Sequence, residues 1–132
     1  MHKMYCIFAK ESVKKMNGNR GKLAAQAGHA YLHSYWDAVS LSGGYSSDIF
    51  LKKSKQAFDY RNSERAYKIA LLVDTVEELK ALHEAYKNVC GVSLVEDAGF
   101  TVFDEPTITC LGIGPIHEDN IGEDIKQLKV FI

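Results

Sequence analysis

The run Tyr67-Lys68-Ile69-Ala70-Leu71-Leu72-Val73 constrains the fold more than any other segment of this chain. Its nearly continuous apolar character is that of a strand covered on both faces, so other elements must pack above and below it. Thr75-Val76-Glu77-Glu78 follows as a capping box, and Leu79, Leu82 and Tyr86 continue an amphipathic helix to about Val89. Residues 5–9, 92–95 and 107–113 are short β-branched and apolar runs with strand character, the last ending before Gly114-Pro115. Residues 128–132 read as a short strand or an extended tail. A helix is expected over residues 21–39, where Leu23, Ala27, Ala30, Tyr31 and Ser34 form a narrow small-residue stripe and Gln26, His29 and His33 occupy the adjoining face. The polar stretch 10–22 reads as a connection, and residues 41–65 as a loop and a second basic helix. Strands alternating with helices point to a two-layer or three-layer α/β domain around a small mixed sheet.

The chain has 132 residues, 46% of them hydrophobic, which is the size of one domain spanning residues 1–132. Such a domain buries roughly two thirds of the surface its unfolded chain exposes. No window approaches the roughly 18 apolar residues of a membrane span, and the N-terminal apolar run is too short for a secretory leader. A soluble, cytoplasmic protein without membrane attachment is expected. Cys6, Cys90 and Cys110 are odd in number and lack CxxC spacing, so neither a disulfide framework nor a zinc site is indicated.

Net charge is −1, but it is unevenly distributed. Residues 1–68 carry 12 Lys and Arg against 5 Asp and Glu, whereas residues 69–132 carry 4 against 12. The first part is basic enough to hold phosphates if its charges share a face, and solvated surfaces are the plainer alternative.

Within that basic part, Asn19-Arg20-Gly21-Lys22 runs into the alanine-rich helix that carries Gln26 and His29. A helix N-terminus offers unpaired N–H groups and a partial positive charge, which Arg20 and Lys22 would reinforce as an anion site. It is not a Walker A loop, because Lys22 is followed by Leu23 and not by Ser or Thr. His29 and His33 are spaced to face one metal, but HExxH is absent and no third ligand is evident. Cys6 and Cys110 sit in apolar runs where a thiolate would be poorly solvated, and no GxSxG elbow occurs.

Three blocks then occur in an informative order: Arg20-Gly21-Lys22-Leu23-Ala24-Ala25-Gln26 with His29-Ala30; Glu96-Asp97-Ala98-Gly99 with Thr101; and Thr109-Cys110-Leu111-Gly112-Ile113-Gly114-Pro115. Together with Leu128-Lys129-Val130 they resemble the type 2 peptidyl-tRNA hydrolases, the archaeal and eukaryotic-type family. The resemblance covers most of the chain outside residues 40–66. It implies a four-stranded mixed β-sheet flanked by α-helices, a tendency to form homodimers, and hydrolysis of the ester joining a peptide to the terminal ribose of tRNA. It implies no metal and no organic cofactor. Carried over by motif, the catalytic set is Arg20, Asp97, Thr101 and Thr109, with Lys22, Gln26 and His29 binding substrate.

Those residue types suit ester hydrolysis, which needs a positioned water, a route for its proton, and donors facing the developing oxyanion. Asp97 can accept or orient a proton, the threonines can hold water or a carbonyl oxygen, and the basic pair can offset phosphate charge. His29 can act as acid, base or donor, although a helix histidine facing a sheet is more often a packed residue. The chain departs from the family in three places. Arg20 stands where lysine is usual, Phe100 where arginine is common, and Asp104-Glu105-Pro106 replaces a Pro-Gly turn. Arginine is a planar fork that keeps its proton, so a mechanism requiring a lysine amine would fail there. These departures support an alternative, a noncatalytic RNA- or protein-binding module on the same fold. A third reading is a small esterase acting on other aminoacyl or peptidyl conjugates.

Overall fold

The computed structural model describes residues 1–40, 47–99 and 103–132. Phe100 and Thr101, and the loop expected from residue 41 to residue 46, lie outside them. The chain runs β1 (His2–Ala9), α1 (Lys10–Lys15), α2 (Arg20–Val39), α3 (Ser47–Arg61), β2 (Lys68–Val73), α4 (Val76–Tyr86), β3 (Val92–Asp97), β4 (Thr107–His117), α5 (Glu123–Lys126) and β5 (Lys129–Val130).

The strands form one sheet in the order β3-β4-β1-β2-β5. Among the described residues, β1 and β2 pair in parallel, and the β1–β4, β3–β4 and β2–β5 pairs are antiparallel. The sheet is therefore mixed, as expected, but has five strands where four were expected. The fifth is two exposed residues paired with Leu71 and Leu72, within the stretch read as a short strand or an extended tail.

Strand β1 shows why the domain has three layers. Tyr5, Ile7 and Ala9 join a core with Leu79, Leu82 and Tyr86 of α4 and Ile125 of α5. The alternate residues Cys6 and Phe8 join a second core with Ala30, Leu23, Ala27 and Tyr31 of α2. Successive side chains of a strand point to opposite faces, so one central strand feeds both cores.

Three boundaries differ from the expectations. Residues 10–15 are helical, docked by Ser12, whose hydroxyl donates to the Ile108 carbonyl at 2.6 Å. Helix α4 stops at Tyr86, and the Tyr86 carbonyl accepts from both Val89 and Cys90 N–H as the chain turns. Strand β4 continues through Gly114-Pro115 to His117. There Lys3 and Tyr5 pair with Ile116 and Ile113, so β4 spends an extra residue, and this irregularity admits a proline that has no N–H to contribute.

Helix α2 spans the residues expected, but its buried stripe is Gln26, Ala30, Ser34 and Ala38. These four recur at i+4 and lie directly on the sheet. A Cβ on Gly112 would run into the Ala30 carbonyl, and one on Gly91 into the Ser34 carbonyl. Glycine at both places lets the helix backbone approach β3 and β4 closely, and Gln26, at the N-terminal end of the stripe, is carried in with it.

Candidate active site

Gln26 is the hub of the site. Its side chain is buried, donates through Nε2 to Asp97 Oδ2 at 3.3 Å, and accepts at Oε1 from the Thr109 hydroxyl at 2.6 Å. Lys22, one turn earlier on α2, forms an ion pair with the same Asp97 oxygen. The other Asp97 oxygen accepts the Gly99 N–H at 2.9 Å. That turn needs Gly99 at φ +86°, and a Cβ there would meet the Glu105 backbone. Asp97 is thus held by three donors from two elements.

The N-terminus of α2 is built to present Lys22. Asn17 and Gly18 take left-handed conformations in the turn after α1, and the Asn19 side chain caps the helix by accepting the Lys22 N–H at 2.9 Å. The Lys22 ammonium, hydrogen-bonded to Asp97, is the main cause of an Asp97 pKa below the ordinary carboxylate value; burial opposes it, and the Gly99 N–H and His29 add smaller downward contributions. Asp97 is therefore ionised at neutral pH.

Thr109 reaches Gln26 because of an irregularity in β4. Val95 pairs with Cys110 but Glu96 pairs with Ile108, which leaves Thr109 as an extra residue. Consequently Thr109 and Cys110 both face α2, while Ile108 and Leu111 on either side of them pack into the opposite core. A strand bulge beside a site commonly re-aims a side chain in this way.

Beside this network opens a cleft of about 440 Å³ between α2 and β3, lined by Gln26, His29, His33 and residues 93–98. His29 is exposed on its wall, and the His29 and His33 rings meet edge to face at 5.6 Å. The structure brings Lys22, Gln26, Asp97 and Thr109 into one connected group with His29 on the adjacent wall. It does not bring Arg20 into the cleft: that side chain is exposed at the first residue of α2. Nor does Thr109 open onto the cleft, since it is fully buried and touches it only through Gln26. Thr101 falls outside the described residues.

Sequence reasoning missed the share of the cleft wall that β3 contributes through Ser93, Leu94 and Glu96. Their role follows from β3 being the edge of the sheet, and strand order is not written in a single sequence. His33 was legible as the i+4 neighbour of His29, a spacing that by itself suggests only metal binding. Among the described residues, no three His, Cys, Asp or Glu side chains are grouped to hold a metal ion. All three cysteines are buried, and the Cys90 thiol is pushed up to about 12, chiefly by burial. Cys6 is raised as well, first by its hydrogen bond with Cys110 and then by burial. Neither is a nucleophile in this setting.

A cleft beside a buried, charge-assisted network at a basic helix start is the arrangement expected of a binding or active site in an α/β domain. Residues 3–131 match the family described as Peptidyl-tRNA hydrolase PTH2. The chain is 38% identical over 104 residues to a Methanopyrus kandleri protein named peptidyl-tRNA hydrolase, covering 78% of each. It is 34% identical over 113 residues to a Methanococcus vannielii protein of the same name, covering 84% of this chain and 86% of that one. A Nanoarchaeum equitans protein, also so named, is 29% identical over 119 residues, 89% of this chain and 93% of its own. The chain belongs to the PTH2 family of peptidyl-tRNA hydrolases.

Proposed function

We propose that the Lys22–Asp97–Gln26–Thr109 network and the cleft beside it are the centre of peptidyl-tRNA hydrolysis. The enzyme cleaves the ester between the peptide and the terminal ribose of tRNA, freeing the tRNA for reuse. Water adds to the ester carbonyl carbon, the bond to the ribose oxygen breaks, and that oxygen takes up a proton while the peptide leaves as an acid.

The observation that carries the assignment of roles is the shared Asp97 oxygen, held at once by Lys22 and Gln26. A carboxylate with a depressed pKa is a poor base but a good anchor. Asp97 orients water and keeps the Lys22 ammonium at the cleft, where it faces the negative charge that develops on the carbonyl oxygen. Gln26 fixes Asp97, and buried Thr109 acts by fixing Gln26. His29, on the cleft wall one turn from Gln26, is the group suited to carry a proton to the leaving ribose oxygen. Arg20 lies with Lys14 and Lys15 around the exposed α1–α2 turn and meets tRNA phosphates there. Thr101 belongs to the same set by motif.

No described helix is long and apolar enough to cross a membrane, and work on peptidyl-tRNA belongs to the cytoplasm. The homodimer is part of the proposal. Val39, Leu51 and Phe58 are 43%, 61% and 65% exposed around a hollow between α2 and α3, an apolar surface that a second copy of the chain would cover.

The test is release of peptide from an N-acetylated aminoacyl-tRNA. Asp97→Asn should cut kcat/KM by about 10²-fold or more, the scale of losing an oriented catalytic group. Arg20→Ala should instead raise KM and flatten its rise with salt. Tight tRNA binding without turnover by the unaltered protein would favour the noncatalytic module.

A further inference from the structure

Among the described residues, strand β3 has one neighbour, β4, and its other edge lines the cleft. Consecutive residues 93–98 all contribute to that lining, which means the wall is the strand's edge and not one of its faces. The direction of the main-chain groups follows from two hydrogen bonds. Gly91 accepts from Gly114 N–H at 2.8 Å, toward β4, whereas Val92 N–H points the other way and is taken by Asp37 at 3.0 Å. The extra residue near Asp97 is on β4, so β3 keeps its alternation. Leu94 and Glu96, two and four residues beyond Val92, therefore turn their N–H and C=O groups into the cleft.

We infer that this edge holds the peptide part of the substrate as an added antiparallel or parallel strand, paired main chain to main chain with Leu94 and Glu96. The inference rests on the hydrolase reading and assigns the peptide, as distinct from the RNA, its place. Charge favours that assignment. The described lining holds Glu96 and the Lys22-paired Asp97 and no lysine or arginine of its own, whereas exposed Lys14, Lys15 and Arg20 flank the α1–α2 turn. Phosphates are drawn to the turn, and Glu96 disfavours them at the β3 edge. From Asp97 back to Ser93 the strand covers about 13 Å at ~3.3 Å per residue, room for three or four substrate residues. Pairing through main-chain groups also suits the task, because a hydrolase that recycles tRNA meets peptides of every sequence, and strand addition reads no side chain in order to gain affinity.

The test uses the native enzyme and a series of tRNAs acylated with the same C-terminal residue: N-acetylaminoacyl, dipeptidyl and tetrapeptidyl, with alanine or larger side chains. A second set carries a single N-methyl group on successive main-chain amides of the tetrapeptide. The expected result is a kcat/KM that rises about five- to tenfold from the shortest to the longest substrate, the worth of one or two net hydrogen bonds, whatever the side chains. Methylation should abolish the gain at alternate amides and leave it intact at those between. Equal kcat/KM across lengths, or indifference to every N-methyl group, overturns the inference while leaving hydrolysis in place. No turnover of any member overturns the hydrolase reading itself, and the peptide subsite with it.

Discussion

The Thr109 hydroxyl donates to Gln26 Oε1 at 2.6 Å, and the direction of that bond is set by Asp97 at the other end of the amide. The ionised carboxylate can only accept, so it takes the NH₂ group, at 3.3 Å, and leaves the amide oxygen to Thr109. Gln26→Glu keeps an acceptor for Thr109 but sets a second negative charge beside Asp97. It should fold and lose about 10- to 100-fold in kcat/KM. Gln26→Leu, which leaves Thr109 and Asp97 each short of a partner, should also cost about 1–3 kcal/mol of stability. Steady-state kinetics and urea unfolding on the two variants separate these effects.

The pH profile reports on Lys22. Asp97 has a folded-state pKa below its ordinary value, first because of its bond to Lys22, so it contributes stability that is present above the ordinary carboxylate pKa. That contribution is lost as pH falls through the lower, folded value. In native enzyme the acid limb of kcat/KM that Asp97 sets should lie below the ordinary carboxylate range. In Lys22→Met the limb should move to higher pH, and loss of stability on acidification should begin earlier. An unmoved limb would separate the titration from Asp97.

Two glycines give opposite expectations. Gly112→Ala puts a methyl group into the Ala30 carbonyl and must lift α2, costing about 1–3 kcal/mol and displacing Gln26, with activity falling in step. Gly28 lies in the same helix, and nothing comes within 4 Å of the place an added methyl group would take, so Gly28→Ala should add roughly 0.5–1 kcal/mol. Thermal or urea unfolding compares the two.

The ion pair of Lys53 and Asp37 offers a fourth expectation. Lys53 is fully buried and bonds Asp37 at 2.9 Å, and the same Asp37 oxygen accepts Val92 N–H at the start of β3. Removing one partner of a buried pair costs about 3–5 kcal/mol. Asp37→Ala should sit at the upper end, because it takes a partner from a buried ammonium and from a main-chain N–H at once. Lys53→Met should cost less, since Asp37 keeps Val92 and is partly solvated. Unfolding free energies that rank in the reverse order would refute this account.

The parts of the fold that were legible in the sequence are those with local causes. The capping box at Thr75 and the apolar periodicity after it located α4, and the apolar run through Val73 located β2, because each needs only its own residues. The helix of residues 21–39 was legible too, and its expected stripe packs on the sheet, but the fully buried line extends to Gln26 and Ala38, which the stripe did not include. Alanine is compatible with either face, and only the glycines across the sheet, Gly91 and Gly112, decide that the stripe passes through Gln26. In the site, Lys22, Gln26, Asp97 and Thr109 were recoverable as members of a motif. Their connection was not, since it depends on a bulge that turns Thr109 to the same side as Cys110. His29 was legible as the residue one turn from Gln26, and its neighbour on the cleft wall, the β3 edge, follows from a strand order that involves the whole chain.

That strand order has a consequence for the life of the protein. Among the described residues, strand β3, which carries Asp97, joins the sheet only through β4, which comes after it in the chain and supplies Thr109. The candidate site joins residues from 22 to 109, so its full network assembles only once residues 107–117 are present to pair with β3 and to bring Thr109 to Gln26.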